Sequence, residues 1–128
     1  MKIVCQKSDL LTGVNIALKA VPAKSTMPIL ECLVLDVEAD TIKLISNDME
    51  IGIETIVKGQ VLEPGKVALN ARVFSEIIRR LPDNDITVET NPSYLTTILC
   101  EKAKFTISGR SSEEFPELPR VEKDRAVI

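Results

Sequence analysis

Three thiols, one close pair of carboxylates and a set of basic side chains are the groups in this sequence that could do chemistry. Cys5, Cys32 and Cys100 would each supply a nucleophile or a metal ligand if a thiolate were accessible. Asp48 and Glu50, flanking Met49, have the spacing of a pair for acid–base work or for a hard cation. The chain has no histidine, which removes Ser-His-Asp and Cys-His pairs, imidazole acid–base work and every zinc site that needs imidazole. The cysteines are odd in number, widely spaced and set in apolar strand patterns, so they read as buried reduced thiols, and no two have metal-ligand spacing. Asp48 belongs to a turn and Glu50 to a solvent-facing strand position, which makes the pair ordinary surface. What remains is Lys19, Lys24, Arg72, Arg79 and Arg80, side chains able to hold phosphate without reacting with it.

The elements that must position them are two strand–helix pairs. Lys66–Leu81 reads as a strand, an Asn70 cap and an amphipathic helix. At 100° per residue Val73, Phe74, Ile77, Ile78 and Leu81 share one side of that helix. Arg72, Ser75, Glu76 and Arg79 share the other, with Arg80 at the margin, and Pro82 ends the helix. The N-terminus repeats the plan. Ile3 and Cys5 alternate with polar or opposite-facing neighbours, and Ser8 or Asp9 caps a helix running to about Ala20. That helix buries Leu10, Val14, Ala17, Leu18 and Val21 and turns Thr12, Asn15 and Lys19 outward.

Behind each helix the same order of strands follows. In the first half these are Ile29–Ala39, Ile42–Ser46 and Glu50–Val61; in the second, Ile86–Thr90, Tyr94–Cys100 and Ala103–Ser108. Turn signals separate them: Asp40–Thr41, Asn47–Asp48, Glu63-Pro64-Gly65, Asn91-Pro92-Ser93 and Glu101–Lys102. The sequence thus predicts an α+β fold of two βαβββ repeats, about 1–61 and 66–109. Short connections make the strands antiparallel, and the two helices pack on one face of the sheets. The polar helix faces then share one surface, with most carboxylates elsewhere. Gly109–Asp124, rich in Ser, Glu and Pro, reads as a linker, and Arg125–Ile128 turns apolar again.

At 128 residues, 45% apolar and 27% charged, the chain is one globular domain with a core that needs no staples. No apolar run is long enough to span a membrane and no signal-peptide pattern opens the chain, so the expected location is cytoplasmic. The net charge of −3 argues against nucleic acid as a partner, unless the charge is unevenly distributed.

Several stretches resemble one family. Met27–Leu30, Asn47–Glu54, Ala68–Pro82 and Lys104–Gly109, leading to Glu114–Pro119, are similar in order and spacing to the first domain of the bacterial DNA polymerase III sliding clamp, the β subunit. The resemblance covers nearly all of residues 1–119 and implies a clamp domain there, with 120–128 a linker and the start of a truncated second domain. It implies a non-enzymatic processivity factor without cofactor or metal, whose subunits form a head-to-tail homodimer ring around double-stranded DNA. It further implies that DNA polymerase III and the clamp loader bind through domains outside this chain. By resemblance Lys24, Arg72, Arg79 and Arg80 face DNA, and Lys102, Lys104, Phe105 and Ile107 lie on the edge strand that meets the other subunit. Thr12 and Asn15 stand at inward positions where some relatives carry longer or charged groups, so neither is assigned a contact.

Two other classes compete. A duplicated α/β saddle would grip DNA with its sheet and needs basic and wedge-like apolar residues there, whereas Asp36, Glu38, Glu54 and Glu89 occupy the outward strand positions. A thiol enzyme is the other. Titration of the native protein with a thiol reagent is expected to find Cys5, Cys32 and Cys100 unreactive until unfolding; one fast-reacting thiol would restore the enzyme reading.

Overall fold

The computed structural model describes residues 1–116; the expected linker and second-domain start fall largely outside them. Two antiparallel sheets enclose the core. In chain order the elements are β1 (Lys2–Gln6), α1 (Lys7–Ala17), β2 (Cys32–Val37), β3 (Ile42–Asn47), β4 (Gly52–Val57), β5 (Gln60–Glu63) and β6 (Gly65–Asn70). These are followed by α2 (Ala71–Arg80), β7 (Asp85–Thr90), β8 (Leu95–Cys100) and β9 (Ala103–Ser108). The first sheet has the order β5-β1-β7-β8-β9 and the second β4-β3-β2-β6.

The duplication is present, but the halves exchange their leading strands. β1 pairs with β7 of the second half, and β6 pairs with β2 of the first. Each helix therefore starts on one sheet and delivers the chain to the other. α1 lies against β3, β4 and α2, and α2 also packs on β6 and β2. One cluster joins both helices to both sheets, with Ile3, Leu10, Val14, Leu33, Leu35, Leu44, Phe74, Ile78, Ile86 and Ile98 at its centre. A smaller cluster of Ile29, Leu30, Cys32, Val34 and Ala68 lies on the far side of the second sheet, where Ile45 and Phe115 pack over it.

Three local expectations change. Ile29–Glu31 is not strand but part of a 3-10 turn, Pro28–Glu31, because Pro28 opens it and Leu30 N–H reaches the Met27 carbonyl. The strand expected over Glu50–Val61 breaks between β4 and β5, since the chain leaves the second sheet for the first at that point. Gly59 makes the passage, with no room for a side chain: a Cβ there would stand 2.8 Å from the Val4 carbonyl oxygen and 2.8 Å from Cys5 Cβ. Asp36 faces outward as expected but is buried there, lying between Lys43 and Lys66 of the flanking strands. Its Oδ2 stands 3.8 Å from Lys66 Nζ, and Oδ1 has no hydrogen-bond partner.

The chain crosses between sheets again after β9. Arg110 exchanges two backbone hydrogen bonds with Ala68, at 2.9 and 3.0 Å, and so extends the second sheet beyond β6. Gly109 makes this crossing, and a Cβ on it would meet the Tyr94 carbonyl oxygen and Val67 Cγ2, each at 2.6 Å. Backbone cannot yield as a flexible side-chain end can. Gly109→Ala is expected to lower the unfolding free energy by about 1–3 kcal/mol, measurable as a shift of the urea midpoint with unchanged slope.

Candidate nucleic-acid interface

Both helix C-termini, where carbonyls lack partners, are closed by side chains from distant elements. The buried Ser46 hydroxyl donates to the Ala17 carbonyl at 2.6 Å and ends α1 on β3. Lys7 Nζ donates to the Arg79 carbonyl at 3.0 Å and the Leu81 carbonyl at 2.7 Å, bringing positive charge to the negative end of α2. Lys7 is thereby the strap between the start of α1 and the end of α2. The N-termini differ. Asn70 Oδ1 accepts from Val73 N–H at 3.0 Å, as expected, whereas α1 begins at Lys7 and not behind Ser8 or Asp9. Its first amide, Lys7 N–H, is taken by the Asn84 carbonyl at 3.1 Å.

With the helices antiparallel and in contact, their exposed sides form one surface. Arg79 lies across the seam: its Nε donates to Ser75 Oγ at 3.2 Å and its Nη2 to Asn15 Oδ1 of α1 at 3.0 Å. Arg72 donates from Nη2 to the Val21 carbonyl at 3.4 Å, tying the N-terminal end of α2 to the root of the loop that carries exposed Lys24. Arg72 and Arg79 are seven residues apart, hence on one side of the helix and about 10 Å apart along it. Thr12 spends its hydroxyl on the Ser8 carbonyl at 2.9 Å.

Arg80 takes another direction. It pairs loosely with Glu76, at 3.8 Å with both side chains exposed, a contact of little energetic weight. Arg72, Val73, Glu76, Ile77, Arg80 and Phe105 line a shallow apolar groove between α2 and β9. A basic residue expected to face DNA and an aromatic expected at a subunit boundary thus border the same depression. Val73, expected inward, is exposed there, and Ser75, expected outward, is buried against α1. The helix is rotated relative to the simple wheel because α1 covers one flank and the other flank ends at the sheet edge.

Lys104, Phe105 and Ile107 lie on β9, the last strand of its sheet, and Lys102 is in the turn before it. Phe105 shares the helix-facing side with Ile107; Ile107 packs on the core, while Phe105 remains 37% exposed at the rim. β9 pairs with β8 through Leu95↔Ser108 to Cys100↔Ala103, and its outer edge carries no strand among the described residues.

The groups with chemical potential do not assemble into a reactive site. All three thiols are buried, and burial pushes Cys5 up to about 12 and raises Cys32 and Cys100 as well. Asp48 Oδ1 accepts from Ile51 N–H at 2.7 Å and Glu50 N–H at 2.9 Å, which holds its carboxyl below the ordinary range and makes it a turn residue. Among the described residues no cluster of three or more Cys, Asp or Glu could hold a metal ion, and no helix is long and apolar enough to cross a membrane.

Residues 1–119 match the family model for the DNA polymerase III beta subunit, N-terminal domain. The chain is 36% identical to the beta sliding clamp of Synechocystis sp., over 95% of this chain and 33% of that protein. It is 33% identical to the beta sliding clamp of Bacillus subtilis, over 99% and 36%. A crystal structure from Eubacterium rectale named for the DNA polymerase III beta subunit superposes with a TM-score of 0.91 at 56% identity, covering 93% of this chain and 33% of that one. The sliding clamp structure from Bacillus subtilis gives a TM-score of 0.88 at 35% identity, again over 93% and 33%. The chain spans about one third of the length of the relatives it matches.

Removing the strap at Lys7 leaves the α2 carbonyls without their donor. Lys7→Met is expected to cost about 1–2 kcal/mol in denaturant unfolding, and Lys7→Arg about half as much or less, since it keeps the charge.

Proposed function

The chain belongs to the family of the DNA polymerase III beta subunit, and from that membership we propose that it is the first domain of a processivity clamp. On this reading residues 1–119 form the clamp domain, 120–128 begin the passage to a second, and the complete subunit closes with a second copy, head to tail, into a ring. The ring encircles double-stranded DNA and tethers the polymerase to it, catalysing nothing. Lys24, Arg72 and Arg79 face the duplex, and Arg80 stands at the margin. Lys102, Lys104, Phe105 and Ile107 meet the other subunit, and polymerase and clamp loader engage other domains.

The observation that carries the reading is the two-helix surface: Arg72 and Arg79 are exposed on it and tied to α1 and its following loop, on a fold the relatives share. Basic contacts to phosphate carry no sequence information, and equivalent phosphates recur along the duplex, so a ring lined with them slides. Retention comes from enclosure and tolerates weak contacts. The acidic total is compatible with this, because exposed carboxylates such as Glu38, Asp40, Glu50, Glu63 and Glu89 lie on strands and turns away from the two helices.

The test uses the full-length subunit carrying this sequence, loaded onto nicked circular DNA by its loader. Cutting the circle is expected to release it. Equal retention on circular and linear DNA would replace the ring with ordinary affinity binding and bring the saddle forward.

A further inference from the structure

We propose that Asn15 is a positioning residue for Arg79: α1 serves the duplex by holding a guanidinium of α2 rather than through a contact of its own. The inference rests on the reading that the two-helix surface faces DNA. Of the five N–H donors of a guanidinium, Arg79 spends one on Ser75 Oγ and one on Asn15 Oδ1, at 3.2 and 3.0 Å. Both acceptors are neutral, so the positive charge is retained in full. Ser75 is itself 3% exposed and packed at the helix seam, which makes it a fixed anchor rather than a mobile one. The two bonds come from different helices and splint the side chain across the seam with its remaining donors free.

The chemistry of this arrangement is specific. A free arginine loses rotamer freedom when it meets phosphate, and one already held loses less. A carboxylate in place of Asn15 would hold Arg79 as firmly but cancel its charge, and charge is what the phosphate reads. A neutral acceptor such as the Asn15 amide restrains without neutralising. Arg80 is the contrast on the same helix, since its neighbour is the carboxylate of Glu76 at 3.8 Å. By this logic Arg80 contributes less to duplex binding than Arg79, although both are exposed.

The experiment measures binding of the full-length subunit to a short linear duplex, whose open ends remove topological retention, across a range of salt. Arg79→Gln is expected to weaken binding and to reduce the slope of log K against log salt by about 0.9. Asn15→Ala is expected to weaken binding about three- to tenfold with the slope unchanged, because the charge remains and only its restraint is lost. Asn15→Asp is expected to match Arg79→Gln in slope. Wild-type affinity for Asn15→Ala beside a loss for Arg79→Gln would overturn the positioning role and leave the DNA-facing surface intact. No effect of Arg79→Gln would instead overturn the surface itself. A second readout needs no DNA: the Arg79 Nε–H resonance should be sharp and slow to exchange in wild type and exchange-broadened in Asn15→Ala. A resonance unchanged by the substitution would show that Asn15 does not restrain the side chain.

Discussion

The exchange of leading strands is the constraint from which the rest of the architecture follows. Because β1 hydrogen-bonds to β7 and β6 to β2, neither half can complete a sheet with its own residues. The helix after each leading strand has to cross from one sheet to the other, and two helices making that crossing in opposite directions end side by side. Their contact is therefore set by backbone pairing far from it. The core seals the arrangement: Phe74 and Leu10, on different helices, belong to one cluster with residues of both sheets. Burying side chains of that size is worth roughly 1.5–3 kcal/mol each, so the helices are hard to separate without opening the sheets as well.

The polar surface is a product of the same geometry. Antiparallel helices at a seam put the start of α1 near the end of α2, which lets Lys7 reach two carbonyls; Arg79, lying back along its helix towards Ser75, reaches Asn15 in the last turn of α1. The loop root at Val21 likewise falls within range of Arg72. None of these contacts is close in sequence, except that Ser75 stands one turn before Arg79. Lys7, Arg72 and Arg79 are stiffened this way, each anchored to an element other than its own, whereas Arg80 pairs only within its helix.

Much of the fold was legible in the sequence where a local rule governs. Asn70 caps α2 as its type and place predict, Phe74, Ile77, Ile78 and Leu81 are buried as their spacing predicts, and the Asn91-Pro92-Ser93 turn forms with Asn91 Oδ1 accepting from Ser93 and Leu95. Where a tertiary partner governs, the sequence was silent. Val73 and Ser75 trade places because of what lies beside the helix. The cap of α1 moves because Asn84, in the second half, supplies the first acceptor. The long strand through Glu50–Val61 breaks because its second part is wanted by β1, and only Gly59 hints at that. Of the candidate site, helix spacing grouped Arg72 and Arg79 and the family resemblance singled them out with Lys24 and Arg80, but neither told that Arg79 and Arg80 diverge. Arg79 turns to the seam and Arg80 to the groove beside Phe105, and the reason is α1 on one side and β9 on the other.

The crossing at Gly109 also decides how tension enters the molecule. A pull on the chain beyond β9 meets the Phe115 contact and the Arg110–Ala68 hydrogen bonds before it reaches the pairing of that strand with β8. The load passes to β6, which is held along its whole length by β2 and runs directly into α2. Towing at the exit therefore bears on the second sheet, while β9 and its exposed edge stay slack.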